Sequence, residues 1–481
     1  MNPKFLIIAL LLVFSACRKE KGIENVLPMQ VFVIQGVNYL TLVWDPVSGI
    51  PDSSLEFSVF LNDSLVVSHL KARAFTFAKL KENSLYHCLI ETYEGNAKVA
   101  EQIVLATTLK NKPPGDFSVY EMAIRNNSVE LKWNKSNDPE NEAVVYDILL
   151  NGQVKASGIS NPAAQLTGLL AGAYYSGEII ARDTAGNSTK SAFIFRTITV
   201  ANSILINRTA NYQGYKRNFS WYVPANYDTS VSVPLVFSLH GANGNAWNEI
   251  QGSYFKTVAD RENFLLLMPQ ALLGSFNGET IFQWNAHYIF PWDDVAFLSY
   301  LIDYMFTRYH VDLSKVYISG MSNGGFMTFF AARGLQYRLA AVAPISGLIS
   351  SNVYENYTLS RPVPLCYMHG TADNIVRINS NPSADEILRF WAENNHCIGP
   401  PVVSQLPDIS TYDNSTVTLY QYNGYLPDSE IQFYKINGGG HSVPGVEPGA
   451  NMDINAYEVI WSFFRRHSYP GHSPGTTVIL N

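Results

Sequence analysis

The sequence is short of cysteine and of charge. Four Cys occur in 481 residues, at 17, 88, 366 and 397. That is too few for a disulfide-built scaffold, and none forms the CxxC pair of a structural zinc site. Only 15% of residues are charged, and Asp and Glu outnumber Lys and Arg by 40 to 33, a net charge of −7. The electrostatic footprint of a nucleic-acid-binding protein is therefore missing. No apolar run reaches the ~20 residues that span a bilayer as a helix. Aromatic residues are plentiful: 8 Trp, 28 Tyr and 26 Phe, within a hydrophobic share of 47%. A chain so composed forms cores, which excludes disorder for most of its length. Its length leaves room for two to four domains of roughly 100–200 residues.

The N-terminus reads as an address. Lys4 precedes ten apolar residues, 5–14, and then Ser15-Ala16-Cys17. Such a run is half a membrane span and fits the core of a signal peptide. Ordinary secretory cleavage after Ala16 would set the bulky Phe14 where a small residue is needed. Small residues just before a Cys resemble a bacterial lipobox, with Phe14 in place of the usual Leu. The expectation is a lipoprotein signal peptide over 1–16, a lipidated Cys17, and a charged linker over 17–26. The protein would then be exported and lipid-anchored at the bacterial envelope, at the outer membrane, with no other membrane contact.

Residues 27–200 repeat at an offset of 89. Leu42 and Trp44 match Leu131 and Trp133, Phe57 matches Tyr146, Asn62 matches Asn151, and Tyr86 and Ile90 match Tyr175 and Ile179. Residues 40–44 and 128–133 alternate apolar and polar before turn-rich stretches, the pattern of half-buried strands. Short strands spaced through a unit of about 90 residues predict a β-sandwich. The Trp, the aromatic thirteen residues later, and the Tyr-x-x-x-Ile spacing resemble fibronectin type III domains, at 27–110 and 111–200. The resemblance implies that Tyr86 and Tyr175 turn their hydroxyls back onto upstream backbone. Cys88 has no partner in its module and reads as a buried thiol. Spacing the rest of the chain from its anchor is the expected role; contact with polysaccharide through exposed aromatics is the sharper one.

From 201 to 470 the pattern changes. Continuous apolar runs at 234–239, 264–268, 316–318, 339–345, 363–368 and 431–436 suit strands of a sheet covered on both faces. Between them Val295, Leu298, Ile302, Met305 and Tyr309 form one helical stripe, and Ala456, Ile460 and Phe463 another. Strand–helix alternation predicts an α/β domain with a mostly parallel sheet; residues 471–481 form a tail.

Gly320-Met321-Ser322-Asn323-Gly324 follows one such strand and opens a helix-forming stretch, the setting of a nucleophile elbow. Serine needs an adjacent base to act as a nucleophile. His441 ends a strand behind three glycines that let its loop bend back, and Asp373 ends another strand, in the chain order Ser, acid, His. Asp373 would hold the His441 tautomer and stabilise its imidazolium. His369, at an apolar strand end, reads as structural, and Asp385 as a first-turn helix charge. The Asn323 and Ala242 backbone N–H groups are the expected oxyanion donors.

These residues, with Leu239-His240-Gly241, Trp284-Asn285, Asp293-Asp294-Val295 and Gly438-Gly439-Gly440-His441, resemble the polyhydroxybutyrate depolymerase and feruloyl esterase family of α/β hydrolases over about residues 215–467. The resemblance implies two all-β sandwiches followed by an α/β-hydrolase domain that cleaves carboxylic esters through an acyl-enzyme, with no cofactor and no metal. It implies Trp284 and Asn285 near the acyl group, and an ester substrate, polymeric, drawn from acylated or feruloylated polysaccharide or hydroxyalkanoate polyester. Val443 stands where the family often has Trp. Cys397 fits a family cysteine whose later partner is missing, so Cys366 and Cys397 are expected as free thiols. A binding or adhesion protein with an inactive hydrolase domain, and a serine peptidase on the same fold, are the competing readings.

Overall fold

The computed structural model describes residues 29–47, 49–246, 254–276, 278–447 and 449–469. The signal peptide, Cys17, the linker expected at 17–26 and the tail expected at 471–481 lie outside the described residues.

The N-terminal region is β-rich and repeats in three dimensions as it does in sequence. In the first unit the three-stranded sheet of Val31–Gln35, Tyr39–Trp44 and Ala74–Ala78 faces the four strands Ser64–Leu70, Leu55–Leu61, Leu85–Glu94 and Ala97–Thr107. The second unit has the same three-plus-four arrangement. Alternate residues point into each core: Leu40, Leu42 and Trp44 are buried, as are Leu131 and Trp133. Trp44 meets Phe57 edge-on at 5.2 Å, and Trp133 meets Tyr146 at 5.3 Å. The Tyr86 hydroxyl accepts from the Lys81 N–H at 2.8 Å and that of Tyr175 from the Leu170 N–H at 2.9 Å. Asn62 and Asn151 both take positive φ, 46° and 49°, and each side-chain oxygen accepts a backbone N–H at 3.0 Å, from His87 and Ser176.

The C-terminal domain is built on a mostly parallel sheet, consistent with an α/β hydrolase. Among the described residues, Leu265–Pro269, Val233–Leu239, Val311–Met321, Ala341–Ile345, Leu365–Gly370 and Ile431–Asn437 lie side by side and parallel. They coincide closely with the apolar runs, because both faces are covered and each strand is buried along most of its length. Antiparallel strands flank them: Tyr215–Val223 and Ile204–Tyr212 on one side, Thr416–Tyr422 and Val402–Gln405 on the other. The hairpin between Ile204–Tyr212 and Tyr215–Val223 turns on Gln213 and Gly214, both with positive φ, as a tight two-residue turn requires.

The second sandwich is joined to this sheet edge to edge. Val119–Ile124 pairs antiparallel with Ile204–Tyr212, Leu205 opposite Ile124 and Arg208 opposite Glu121, giving one sheet of 13 strands. Glu121 is shared by Arg208 and Lys132. One contiguous apolar core runs from Trp133 and Ile148 of the sandwich to Phe255 and Met268 of the hydrolase-like domain. The first sandwich has a separate core. Its junction to the second is pinned by Asn111, whose N–H donates to Glu82 at 2.7 Å and whose amide reaches Glu142 at 3.4 Å.

Removing the first sandwich therefore leaves the C-terminal domain intact, whereas removing both exposes the Ile204–Tyr212 edge. A chain starting at 111 should unfold at the same temperature as the full chain in the C-terminal domain's transition. One starting at 201 should lose several degrees and self-associate, read by calorimetry and light scattering.

Candidate active site

The parallel strands all end at one edge of the sheet, where open α/β sheets bind ligands. Ser322 follows Val311–Met321 and opens the helix Asn323–Gly334. Its backbone sits at φ 57°, ψ −121°, a strained conformation for a residue with a side chain. The flanking glycines are required by contact. A Cβ on Gly324 would come within 2.2 Å of the Leu239 carbonyl oxygen, and one on Gly320 within 2.4 Å of the Gly324 oxygen. The crowding forces the turn that lifts Ser322 clear of the sheet, where it is partly exposed.

Asp373 follows Leu365–Gly370, and His441 follows Ile431–Asn437, the neighbouring strand. The two loops lie against each other: the Ala372 N–H donates to the Gly439 oxygen at 2.9 Å, and a Cβ on Gly370 would strike that oxygen at 2.2 Å. His441 Nδ1 then lies 2.7 Å from Asp373 Oδ2. Asp373 is 4% exposed, and its other oxygen accepts the Ile375 and Val376 N–H groups at 3.0 and 2.8 Å. With both oxygens occupied, the carboxylate presents the imidazole one orientation. The hydrogen bonds among the described residues join His441 to Asp373 but include none from Ser322 Oγ to His441.

His369 is buried between Tyr367 and Val376, with both ring nitrogens 2.7 Å from oxygen partners there, and burial lowers its pKa. It braces the Asp373 turn. Asp385 is exposed in the first turn of Ala384–Asn394.

The loop after Val233–Leu239 is set by His240, which the sequence offered only as part of the Leu239-His240-Gly241 motif, without a role. The Ala271 N–H donates to its Nε2 at 3.1 Å, so the ring proton sits on Nδ1 and donates to the Gly241 oxygen at 2.7 Å. Burial lowers its pKa to about 4. The Asn243 and Gly244 N–H groups are used on the Phe282 and Gly241 oxygens. Among the described residues the Ala242 N–H, like that of Asn323, has no protein acceptor.

Trp284 and Asn285 are held behind the site's surface. Trp284 is fully buried; its indole donates to the His240 oxygen at 3.0 Å and its N–H to the Asn323 side chain at 2.6 Å. Asn285, 4% exposed, gathers the loop that follows: its oxygen accepts the Ile289 and Phe290 N–H groups, and its amide donates to the Phe290 and Trp292 oxygens. The Asn285 N–H donates at 2.7 Å to Asp294, which is paired with the buried Arg217. Arg217 also lies 3.9 Å over the Phe297 ring. Asp293 caps the helix Asp294–Phe306 through the Ala296 N–H. The Asp-Asp pair thus splits into a cap and a buried anion; the sequence offered the pair as a motif, but nothing in it pointed to Arg217 as the partner.

On the outer side, His287 Nδ1 lies 2.5 Å from Ser350 Oγ, Ser350 donates to Asn352, and Asn352 donates to the His287 oxygen. This ring ties the loop after Trp284 to the loop after Ala341–Ile345. Val443 is buried. Cys88, Cys366 and Cys397 are free thiols; burial raises the pKa of Cys88 and of Cys397 to about 11.

Residues 218–361 match the model of the esterase PHB depolymerase family. The chain is 28% identical over 276 residues to a bifunctional acetylxylan esterase/xylanase of Neocallimastix patriciarum, covering 57% of this chain and 38% of the relative. It is 24% identical over 265 residues to feruloyl esterase B of Piromyces equi, covering 51% and 44%. It is 22% identical over 301 residues to poly(3-hydroxyalkanoate) depolymerase C of Paucimonas lemoignei, covering 55% and 67%. The chain thus spans about two fifths of the first two relatives. The resemblance read from the motifs holds at the level of the family.

Two outcomes follow. Arg217→Met leaves Asp294 as an unpaired buried charge and should cost about 3–5 kcal/mol in urea unfolding. His240 binds its proton more weakly folded than unfolded, so between pH 6.5 and about 4 the unfolded chain holds more protons. Stability should fall as pH drops through that window, by ~3 kcal/mol in full, and a His240→Asn variant should lack this component.

Proposed function

We propose, from a domain that matches the esterase PHB depolymerase family over residues 218–361, that this chain is a serine carboxylic ester hydrolase. The observation that carries the reading is the strained, partly exposed Ser322 at the same sheet edge as a His441–Asp373 pair bonded at 2.7 Å. Ser322 Oγ attacks the ester carbonyl carbon while His441 Nε2 takes its proton. The oxyanion forms against the Asn323 and Ala242 N–H groups. His441 returns the proton to the leaving alkoxide, and the alcohol departs from an acyl-enzyme. Water then attacks with His441 as base, the acid leaves, and Ser322 regains its proton. Asp373 holds His441 Nδ1–H and stabilises the imidazolium between the two proton transfers. Trp284 and Asn285 act by fixing the wall behind the acyl group.

The substrates proposed are acyl or feruloyl esters of polysaccharide and hydroxyalkanoate polyester, supported by the named activities of the relatives. The two sandwiches are proposed as fibronectin type III domains, on their three-plus-four strands and their paired tyrosine hydroxyl bonds. Export, lipidation at Cys17 and an outer-membrane location remain part of this reading, on the strength of the leader sequence alone.

Ser322→Ala should lower p-nitrophenyl acetate turnover by about 10⁴-fold or more with an unchanged melting temperature. Undiminished turnover sinks the assignment, and a wild-type protein that takes up no fluorophosphonate label favours the inactive binding protein. Acetylated xylan, feruloylated oligosaccharide, polyhydroxybutyrate and a peptide panel in one assay separate the substrate classes; cleavage of peptides alone would identify a peptidase.

A further inference from the structure

A group of carboxylates gathers where the chain enters the second sandwich. Asp138, Glu140 and Glu142 come from the turn between Ser128–Trp133 and Val145–Leu150, Asp183 from the turn after Tyr174–Arg182, and Glu82 from the first unit. The entering segment lies against the first of these turns. The Gly115 N–H donates to the Asn137 oxygen at 2.9 Å, the Lys112 N–H to Glu140 at 3.4 Å, and the Asn111 side-chain amide to Glu142 at 3.4 Å. The Thr184 hydroxyl donates to the other Glu142 oxygen, which brings the Asp183 turn alongside. Glu82 accepts the Asn111 N–H at 2.7 Å. Among the described residues, none of these carboxylates takes part in an ion pair, so none offsets their mutual repulsion.

Two buried oxygen atoms in this group lack partners. Asp138 is 7% exposed; its Oδ1 accepts the Glu140 and Glu142 N–H groups at 2.8 and 3.0 Å, and its Oδ2 has no hydrogen-bond partner. Asn111 is 2% exposed; its backbone N–H and side-chain nitrogen are used on Glu82 and Glu142, and its Oδ1 has no partner either. Glu142 ties the two together, since its N–H holds Asp138 and its carboxylate holds Asn111. Buried polar atoms are costly unless satisfied. A carboxylate oxygen and an amide oxygen are both acceptors, so neither can satisfy the other. What both lack is a positive group.

We propose that these oxygens form a calcium site, with Asp138 Oδ2, Asn111 Oδ1 and the Glu142 carboxylate as protein ligands and water filling the remaining positions. Calcium accepts about six to eight oxygen ligands in flexible geometry and mixes carboxylate, amide carbonyl and water. The donors here are all oxygen, and one is a neutral amide. Among the described residues no three His, Cys, Asp or Glu side chains converge as a metal cluster. That argues against zinc, which takes nitrogen and sulfur ligands in a closed tetrahedron, and for a weaker site that draws on amide and water. Magnesium demands a near-ideal octahedron and gives up its water reluctantly, which suits poorly a ligand set divided between an entering segment and a turn. The ion would clamp Asn111 to the Asp138 turn and oppose the surrounding negative charge. The proposal rests on the second sandwich and does not require the esterase reading.

Calorimetric titration of the full chain with calcium chloride and with magnesium chloride tests it, after stripping with EDTA and at about 0.15 M ionic strength to screen diffuse surface attraction. Calcium should bind one ion per chain with a Kd of about 10⁻⁴–10⁻³ M, and magnesium about tenfold or more weaker. Calcium at about 10 mM should raise the melting temperature above that in EDTA, because the ion binds the folded chain. Asp138→Asn keeps an acceptor for the two N–H groups and removes the charge; Glu142→Gln removes the second charge. Each should weaken calcium binding about tenfold or more and melt at one temperature in calcium and in EDTA, with the far-UV circular dichroism of the original. If one variant fails to fold, the other decides. Absence of calcium binding overturns the site. Equal or tighter binding of magnesium overturns the assignment to calcium, and variants that bind calcium like the original overturn the ligand set. No outcome is read from ester turnover, so the hydrolase reading is left to its own test.

Discussion

The candidate site depends on a steric constraint, the lack of room for side chains where Val311–Met321 meets its neighbours. Leu239 pairs with Gly320 on one side and Ile345 with Met321 on the other. In that register the helix Asn323–Gly334 begins almost on top of the Leu239 and Gly324 carbonyls. Only glycine fits at 320 and 324, and of the three residues between them Ser322 takes a positive φ, 57°. The strain at Ser322 is thus imposed by the sheet. It survives because the two parallel neighbours and the Ser322 N–H bond to the Ile345 oxygen, at 2.9 Å, over-determine it.

Around that turn, three buried polar arrangements set the loops that bear the candidate site residues. His240 holds the loop bearing Ala242, the Arg217–Asp294 pair holds the loop bearing Trp284, and His369 holds the turn bearing Asp373. Each fixes a loop that leaves the end of a strand. Burial keeps His240 and His369 uncharged at neutral pH, so they act by hydrogen-bond geometry. The buried ion pair differs: it is held by charge and by the Phe297 ring, and it tolerates no single-residue loss.

Much of this was legible in the sequence. The 89-residue offset between the sandwiches reappears as paired Tyr hydroxyl bonds and paired positive-φ asparagines, because both copies bend the chain at the same places. The parallel strands were visible as apolar runs, and Ser322, Asp373 and His441 as residues ending them. The residues that support the site were hidden. In one dimension Arg217 looks like any charged residue, set between Lys216 and Asn218, and His240 like any polar residue at a strand end; the partner lies 77 residues away for Arg217 and 31 for His240. Trp284 and Asn285 were recognisable as a motif, but their inward orientation follows from the loop they hold together. The join between Val119–Ile124 and Ile204–Tyr212 had no sequence signal, since edge pairing is carried by backbone groups common to every residue.

That join fixes the second sandwich to the C-terminal domain. A chain of sandwiches and an enzyme on flexible linkers would let the catalytic face explore a full sphere around its attachment point. Here the second sandwich and the C-terminal domain share a sheet and a core, and Asn111 pins the junction above them. The strand edge that carries Ser322, Asp373 and His441 therefore keeps one orientation relative to the second sandwich, fixed by backbone hydrogen bonds and shared apolar packing.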